Sequence, residues 1–134
     1  SYVSPKCTMV GKVTIGENCF ILEDQTLQNG VVIGDNVVLW SGNHIGHQSS
    51  IGDHTYIASH VVVSGHCRVG EKCFFGVNSA TKDHITTGDS CFIGMGACVT
   101  KNLKNGSIVL PPASRVIDAH ERAAKVIKKK FFGI

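Results

Sequence analysis

The sequence predicts an all-β fold, a triangular parallel β-helix, from three regularities. Cut from Tyr2, the chain divides into hexads that run without insertion or deletion to Val109, and the second residue of the hexad is apolar thirteen times in succession, from Val3 to Phe75. With apolar residues at 43% of the composition, such a run arises by chance roughly once in 60,000 trials. A glycine followed by an acid recurs at Gly16-Glu17, Gly34-Asp35, Gly52-Asp53, Gly70-Glu71 and Gly88-Asp89, each eighteen residues after the last, so three hexads make one coil. The sixth position takes small side chains, with Cys7, Cys19, Cys67, Cys73 and Cys91 sharing it with Val13, Val37, Ser49, Thr55, Ser79 and Ala97. A short strand, a tight turn and the same twice more describe one coil, which stacks on the next and buries a continuous core.

Residues 2–109 therefore form one domain of about six 18-residue coils, a prism roughly 29 Å tall at the inter-strand spacing of ~4.8 Å. Second-position side chains point inward and stack, Ile15 on Ile33, Ile51 and Val69, each worth on the order of 1.5 to 3 kcal/mol when buried. The third position is Gly in nine of the eighteen hexads, as corners with φ values that other residues resist would require. The apolar pattern loosens at Thr81 and Thr87, marking a weaker coil face or one touched by something else. First-position residues point outward, and Phe20, Val38, Tyr56, Phe74 and Phe92 line up as an apolar stripe that needs a cover, either the C-terminal tail or a second subunit. Periodicity stops at Pro111 and Pro112. Residues 110–134 form a tail with a short helix, N-capped by Ser114, with Val116, Ala119, Ala123, Ile127 and Phe131 along one face and Arg122, Lys125, Lys128 and Lys129 along a solvated one.

Composition narrows the function classes. A net charge of +3 is too small to imply a nucleic-acid partner. No run of eighteen apolar residues and no signal peptide occurs, so the expected protein is soluble and cytoplasmic. The chain enters the repeat at once from Ser1, which suggests a piece of a longer protein lacking an N-terminal domain. The cysteines contain no CxxC pair to supply zinc spacing and sit where a small hydrophobe fits, so neither a metal site nor a disulfide is expected of them.

The chemistry-bearing residues are histidines. His54, His60, His66 and His84 occupy fifth positions, where polar corner residues are ordinary, and His120 lies in the tail. The stretch WSGNHIGHQSSIG, Trp40 to Gly52, holds the other two. His44 is an outward first-position residue with Val62 one coil further on, at most a contact to substrate. His47 is at the fourth position, a corner, with Gly65 one coil further on. An imidazole beside an unobstructed backbone N–H is what acyl transfer needs, a base for the nucleophile and a donor for the developing oxyanion.

The hexads, and more narrowly NHIGHQSSIGDHTYIASHVVVSG, VGEKCFFGVNSA and FIGMGACV, resemble the hexapeptide-repeat acyltransferases, in particular bacterial acetyltransferases that modify sialic acids and nucleotide-linked amino sugars. The likeness covers residues 2 to about 112 and implies a left-handed β-helix, against the usual crossover preference. It implies acetyl-CoA as donor, a nucleotide sugar or sialic acid as acceptor, and a homotrimer with coenzyme A between two prisms. Carried over by position, it makes His47 the general base and Gly65 the amide that holds the thioester carbonyl. It also puts Val77 and Met95 on the coenzyme A arm, further down the same groove. Two positions depart from the family pattern. Gln48 stands where some relatives have an acid that strengthens the base, so that charge is missing or comes from another carboxylate. Tyr56 stands where a cofactor-contacting histidine is found. Two other readings remain. One is a carbonic-anhydrase-like metal enzyme, although His60 is followed at the expected spacing by Gly65 rather than a histidine. The other is a non-catalytic assembly module.

Overall fold

A computed structural model describes all of residues 1–134. Strands of two residues occupy the first and second hexad positions and pair only in parallel with the strand one coil away, Tyr2↔Phe20 and Val38↔Tyr56 among them. They collect into sheets of seven, six and four strands, the three faces of a prism. The first face runs from Tyr2–Val3 to Ile108–Val109, the second from Thr8–Met9 to Cys98–Val99 and the third from Thr14–Ile15 to Arg68–Val69. Three corners join them. The first, between the first and second faces, includes residues 40–43, 58–61, 76–79 and 94–97; the second includes 28–31, 46–49, 64–67 and 82–85; the third includes 34–37, 52–55, 70–73 and 88–91.

The inward column is as the hexad predicts: Ile21, Leu27, Leu39, Ile45, Ile57, Val63, Phe75 and Ile93 have no solvent exposure. Thr81 and Thr87 belong to it. Both are buried, and their hydroxyls accept the N–H of Ser64 and Gly70 at 3.1 Å each. The second and third faces are therefore not loose at these positions but hydrogen-bonded from inside. All six cysteines are free thiols. Burial pushes the Cys73 thiol above its ordinary range, so it stays protonated and donates to the Gly88 carbonyl.

The repeat does contain a deletion. Pairing steps by eighteen residues as far as Thr81↔Val99, then by sixteen at Thr87↔Leu103 and Phe92↔Ile108. No residue between Val99 and Leu103 adopts the left-handed conformation used at other corners, and the turn there closes two residues shorter.

The third-position glycines also serve a different purpose from the one expected. None of them before Gly106 has a positive φ; the left-handed residue is at the fifth position, from Asn18 to Ser90. Eight of those eleven non-glycine residues are Asn, Asp or His, the types that tolerate this region best, which explains the histidines that gather there. The third-position glycines instead let coils approach: a Cβ at Gly52 would lie 2.6 Å from the Gly70 carbonyl carbon.

The tail helix is shorter than the periodicity suggests, Arg122–Phe132. Residues 114–117 are irregular, and Ser114 caps nothing. Asp118 makes the turn that precedes the helix, its carboxylate accepting the His120 N–H at 3.0 Å. Only Ala124 of the helix is buried, so the tail does not cover the stripe on the first face. Phe20 and Phe92 remain 46% and 44% exposed. No helix is long and apolar enough to cross a membrane.

Candidate active site

At the second corner three imidazoles stand on successive coils. His47 meets His66 edge to face with ring centroids 4.9 Å apart, and His66 stacks on His84 at 4.8 Å. The backbone fixes their spacing. Gln48, His66 and His84 are left-handed, and each sends its N–H back to the fourth-position carbonyl of the preceding coil, Asn29, His47 and Gly65 respectively, at 2.9–3.0 Å.

His47 differs from the other two in how its nitrogens are used. Nδ1 lies 2.6 Å from the Gln48 side-chain oxygen, which can only accept, so Nδ1 carries the proton and the lone pair is on Nε2. Nε2 overhangs Gly65, where a Cβ would sit only 2.8 Å from it. A side chain there would meet the far end of the imidazole, so glycine leaves the ring its place. Gln28 completes the setting by accepting the His47 N–H at 3.0 Å. Gln48 thus replaces the expected acid with a neutral orienting partner.

The Gly65 amide is not unobstructed. It donates to the Asp83 carboxylate at 3.0 Å, and Asp83 is the one acid at this corner. The signal for it was readable in ATKDHI, since Asp83 is one coil beyond Gly65, but the sequence gives no sign of which way the carboxylate turns.

The remaining expected residues lie elsewhere on the prism. His44 is half-buried on the second face between Thr26 and Val62. Val77 and Met95 are on the first corner, across that face from His47, so they do not share a groove with it within one chain. Tyr56 is on the first face, stacked on Phe74 at 5.6 Å. Tyr56 on the first face, and Val77 and Met95 on the corner that it borders, therefore lie apart from the cluster of His47, Gln48 and Gly65.

The first corner has its own distinguishing feature. The N–H groups of Ser41, Ser59, Val77 and Met95 donate to no group of the chain, which leaves a row of open donors along the prism. The segment after the last strand folds beside that row. Pro111, Pro112, Ala113 and Ser114 close a pocket of about 580 Å³ with Asn78, Met95 and Gly96. The other histidines are structural: His54 ends a ladder with Asn36 and Asn18, and the His60 ring fills the space beside Gly42. His60 and His66 lie on different corners, and no three His, Cys, Asp or Glu residues gather as a metal site would need.

The profile described as "Hexapeptide repeat of succinyl-transferase" matches residues 12–46 and 67–101, together just over half of the chain. The chain belongs to the hexapeptide-repeat family. A second profile, "Bacterial transferase hexapeptide (six repeats)", matches residues 30–65 across the His47 motif, and the prism is the left-handed parallel β-helix of these proteins. No curated protein matches the chain by sequence.

Among solved structures, this hexapeptide-repeat chain is similar to the acetyltransferase domain of PglB from Neisseria gonorrhoeae FA1090. The TM-score is 0.78 at 21% identity, over 82% of this chain and 56% of that one. It is also similar to PerB from Caulobacter crescentus, solved with CoA and GDP-perosamine, with a TM-score of 0.77 at 22% identity over 79% of this chain and 51% of that one. A third is a point mutant of AntD, an N-acyltransferase from Bacillus cereus solved with dTDP-4-amino-4,6-dideoxyglucose and coenzyme A. Its TM-score is 0.76 at 16% identity over 98% of this chain and 86% of that one. The chain spans just over half the length of the first two.

Proposed function

We propose that this protein is an acetyl-CoA-dependent acetyltransferase acting on a hydroxyl or amine of a bacterial surface-sugar precursor, a nucleotide sugar or a sialic acid. The observation that carries the reading is the His47 geometry, an imidazole with its proton fixed on Nδ1 by Gln48 and its Nε2 lone pair over bare backbone. Nε2 takes the proton of the acceptor hydroxyl or amine as that group attacks the thioester carbon. A backbone N–H at Gly65 meets the charge that builds on the carbonyl oxygen. The carbon–sulfur bond then breaks, and the coenzyme A thiolate leaves with the proton from His47. His44, on the face beside the base, contacts the acceptor.

The cofactor arm lies along the open N–H row at Val77 and Met95 and into the pocket beside Met95, with Tyr56 at its edge. That cluster and His47 are on opposite edges of the second face, so a working site takes the second corner of one chain and the first corner of another. Such a head-to-tail contact closes into a ring, and three copies suit a three-sided prism. It also covers the aromatic stripe on the first face. The homotrimer is therefore part of the proposal, as is a cytoplasmic location, where free thiols persist. Two solved relatives hold coenzyme A together with a nucleotide-linked sugar, which supports this substrate class.

The test is thiol release from acetyl-CoA across a panel of nucleotide amino sugars, other nucleotide sugars and sialic acids. The expected result is turnover with one acceptor class. Absence of coenzyme A binding and of turnover with every acceptor would leave the assembly-module reading in its place.

A further inference from the structure

The carboxylate on the Gly65 amide conflicts with the role just given to that amide, and the conflict defines a further residue of the site. A backbone N–H has one proton. In the free protein the Gly65 proton goes to Asp83 at 3.0 Å. A carboxylate is a stronger acceptor than a thioester carbonyl, and two acceptors cannot use one N–H on the same line. A carboxylate left in place would also repel the negative charge that develops on the carbonyl oxygen. The two groups differ in what each loses by separating. Asp83 is exposed, so water can take over its carboxylate, whereas Gly65 is buried and its N–H needs another acceptor at once.

The same bond recurs at the third corner, where Asp35, Asp53 and Asp89 accept the amides of Glu17, Asp35 and Glu71 at 2.7–2.8 Å. There each acid braces one acidic residue against the next, and the one imidazole on that corner, His54, has its Nδ1 engaged by the Asn36 side chain at 2.9 Å. At Gly65 the braced residue is the one whose open Cβ position His47 Nε2 overhangs.

We propose that Asp83 is a displaceable occupant of the thioester site: it holds the Gly65 N–H in the free protein and yields it to the thioester carbonyl when acetyl-CoA binds. This rests on the acetyltransferase reading. Its consequence is specific to the acyl group. Acetyl-CoA must displace the carboxylate; coenzyme A, a thiol with no carbonyl at that point, need not.

The test compares the two ligands by titration calorimetry on the intact protein and on Asp83→Ala. Removing the carboxylate tightens acetyl-CoA by about tenfold, the equivalent of one charge-assisted hydrogen bond, and leaves coenzyme A affinity unchanged. Asp83→Asn, which keeps an acceptor and the shape of the brace, tightens acetyl-CoA by about threefold and serves if the alanine variant does not fold. Equal shifts for both ligands, or none for either, overturn the proposal and make Asp83 a brace like Asp53. Binding of neither ligand to the unaltered protein is a distinct outcome, which removes the acetyltransferase reading itself and this proposal with it.

Discussion

The second and third corners are built from the same repeat and end in opposite conditions. At the third corner the side chains are matched from coil to coil: Asn18 donates to Asn36, Asn36 meets His54, and the acids tie one coil to the next. At the second corner the repeat places Gly65 where the third corner has an acid, and the imidazole above it keeps one nitrogen free. The third corner is closed and structural. The second is a lone pair held at a fixed height over backbone, which is a reactive arrangement. A histidine in a hexad is thus defined by what the neighbouring coil leaves unmatched.

Substitutions that treat the corners alike should separate them. The largest contrast is between His47→Ala and His54→Ala. The first should lower kcat by about a thousandfold, the usual worth of a general base, with Tm unchanged; the second should leave turnover as it was. Loss at both positions, or at neither, would remove the distinction. Next in size is Gly65→Ala against Gly52→Ala. The new methyl at 65 meets the far end of an imidazole, 2.8 Å from Nε2, and should cost about a hundredfold in activity by moving the base out of line. At 52 it meets backbone at 2.6 Å, so the expected loss there is in thermal stability.

Smaller effects sharpen the account of tautomer and brace. Gln48→Leu removes the acceptor of Nδ1–H and should lower kcat about tenfold with little change in KM, whereas Gln48→Glu should retain activity. Asp53→Ala frees the Asp35 amide and should cost about 1 kcal/mol of stability without altering turnover, as a urea melt and a rate assay on one sample would show.

The solenoid was legible because the hexad enforces a side-chain direction at every residue, and thirteen apolar second positions admit little else. The deletion after Val99 was not, since Val109 stays apolar and in phase with a hexad count even though its partner is sixteen residues back at Ile93. The role of the third-position glycines is hidden in the sequence for a related reason. A period marks where glycine is needed, and only the stacked coils show whether φ or close approach requires it. His47 and Gly65 could be paired from their spacing alone, as stacked neighbours eighteen residues apart. The position of Val77 and Met95 on another corner also follows from counting hexads around three faces. What no spacing reveals is the direction of a flexible side chain, and so Gln48 as a neutral partner and Asp83 on the Gly65 amide emerge only with the coordinates.

On the proposed reading, the base and the cofactor row that serve one reaction come from two chains. Mixing His47→Ala with a variant blocked at the other cluster, Met95→Arg, tests it most directly, by dissociating and reassociating the two inactive proteins and assaying thiol release. If each site draws one corner from each of two chains, random mixing should restore up to about a quarter of the original activity. If the site lies within a single chain, every chain in the mixture is defective and no activity returns.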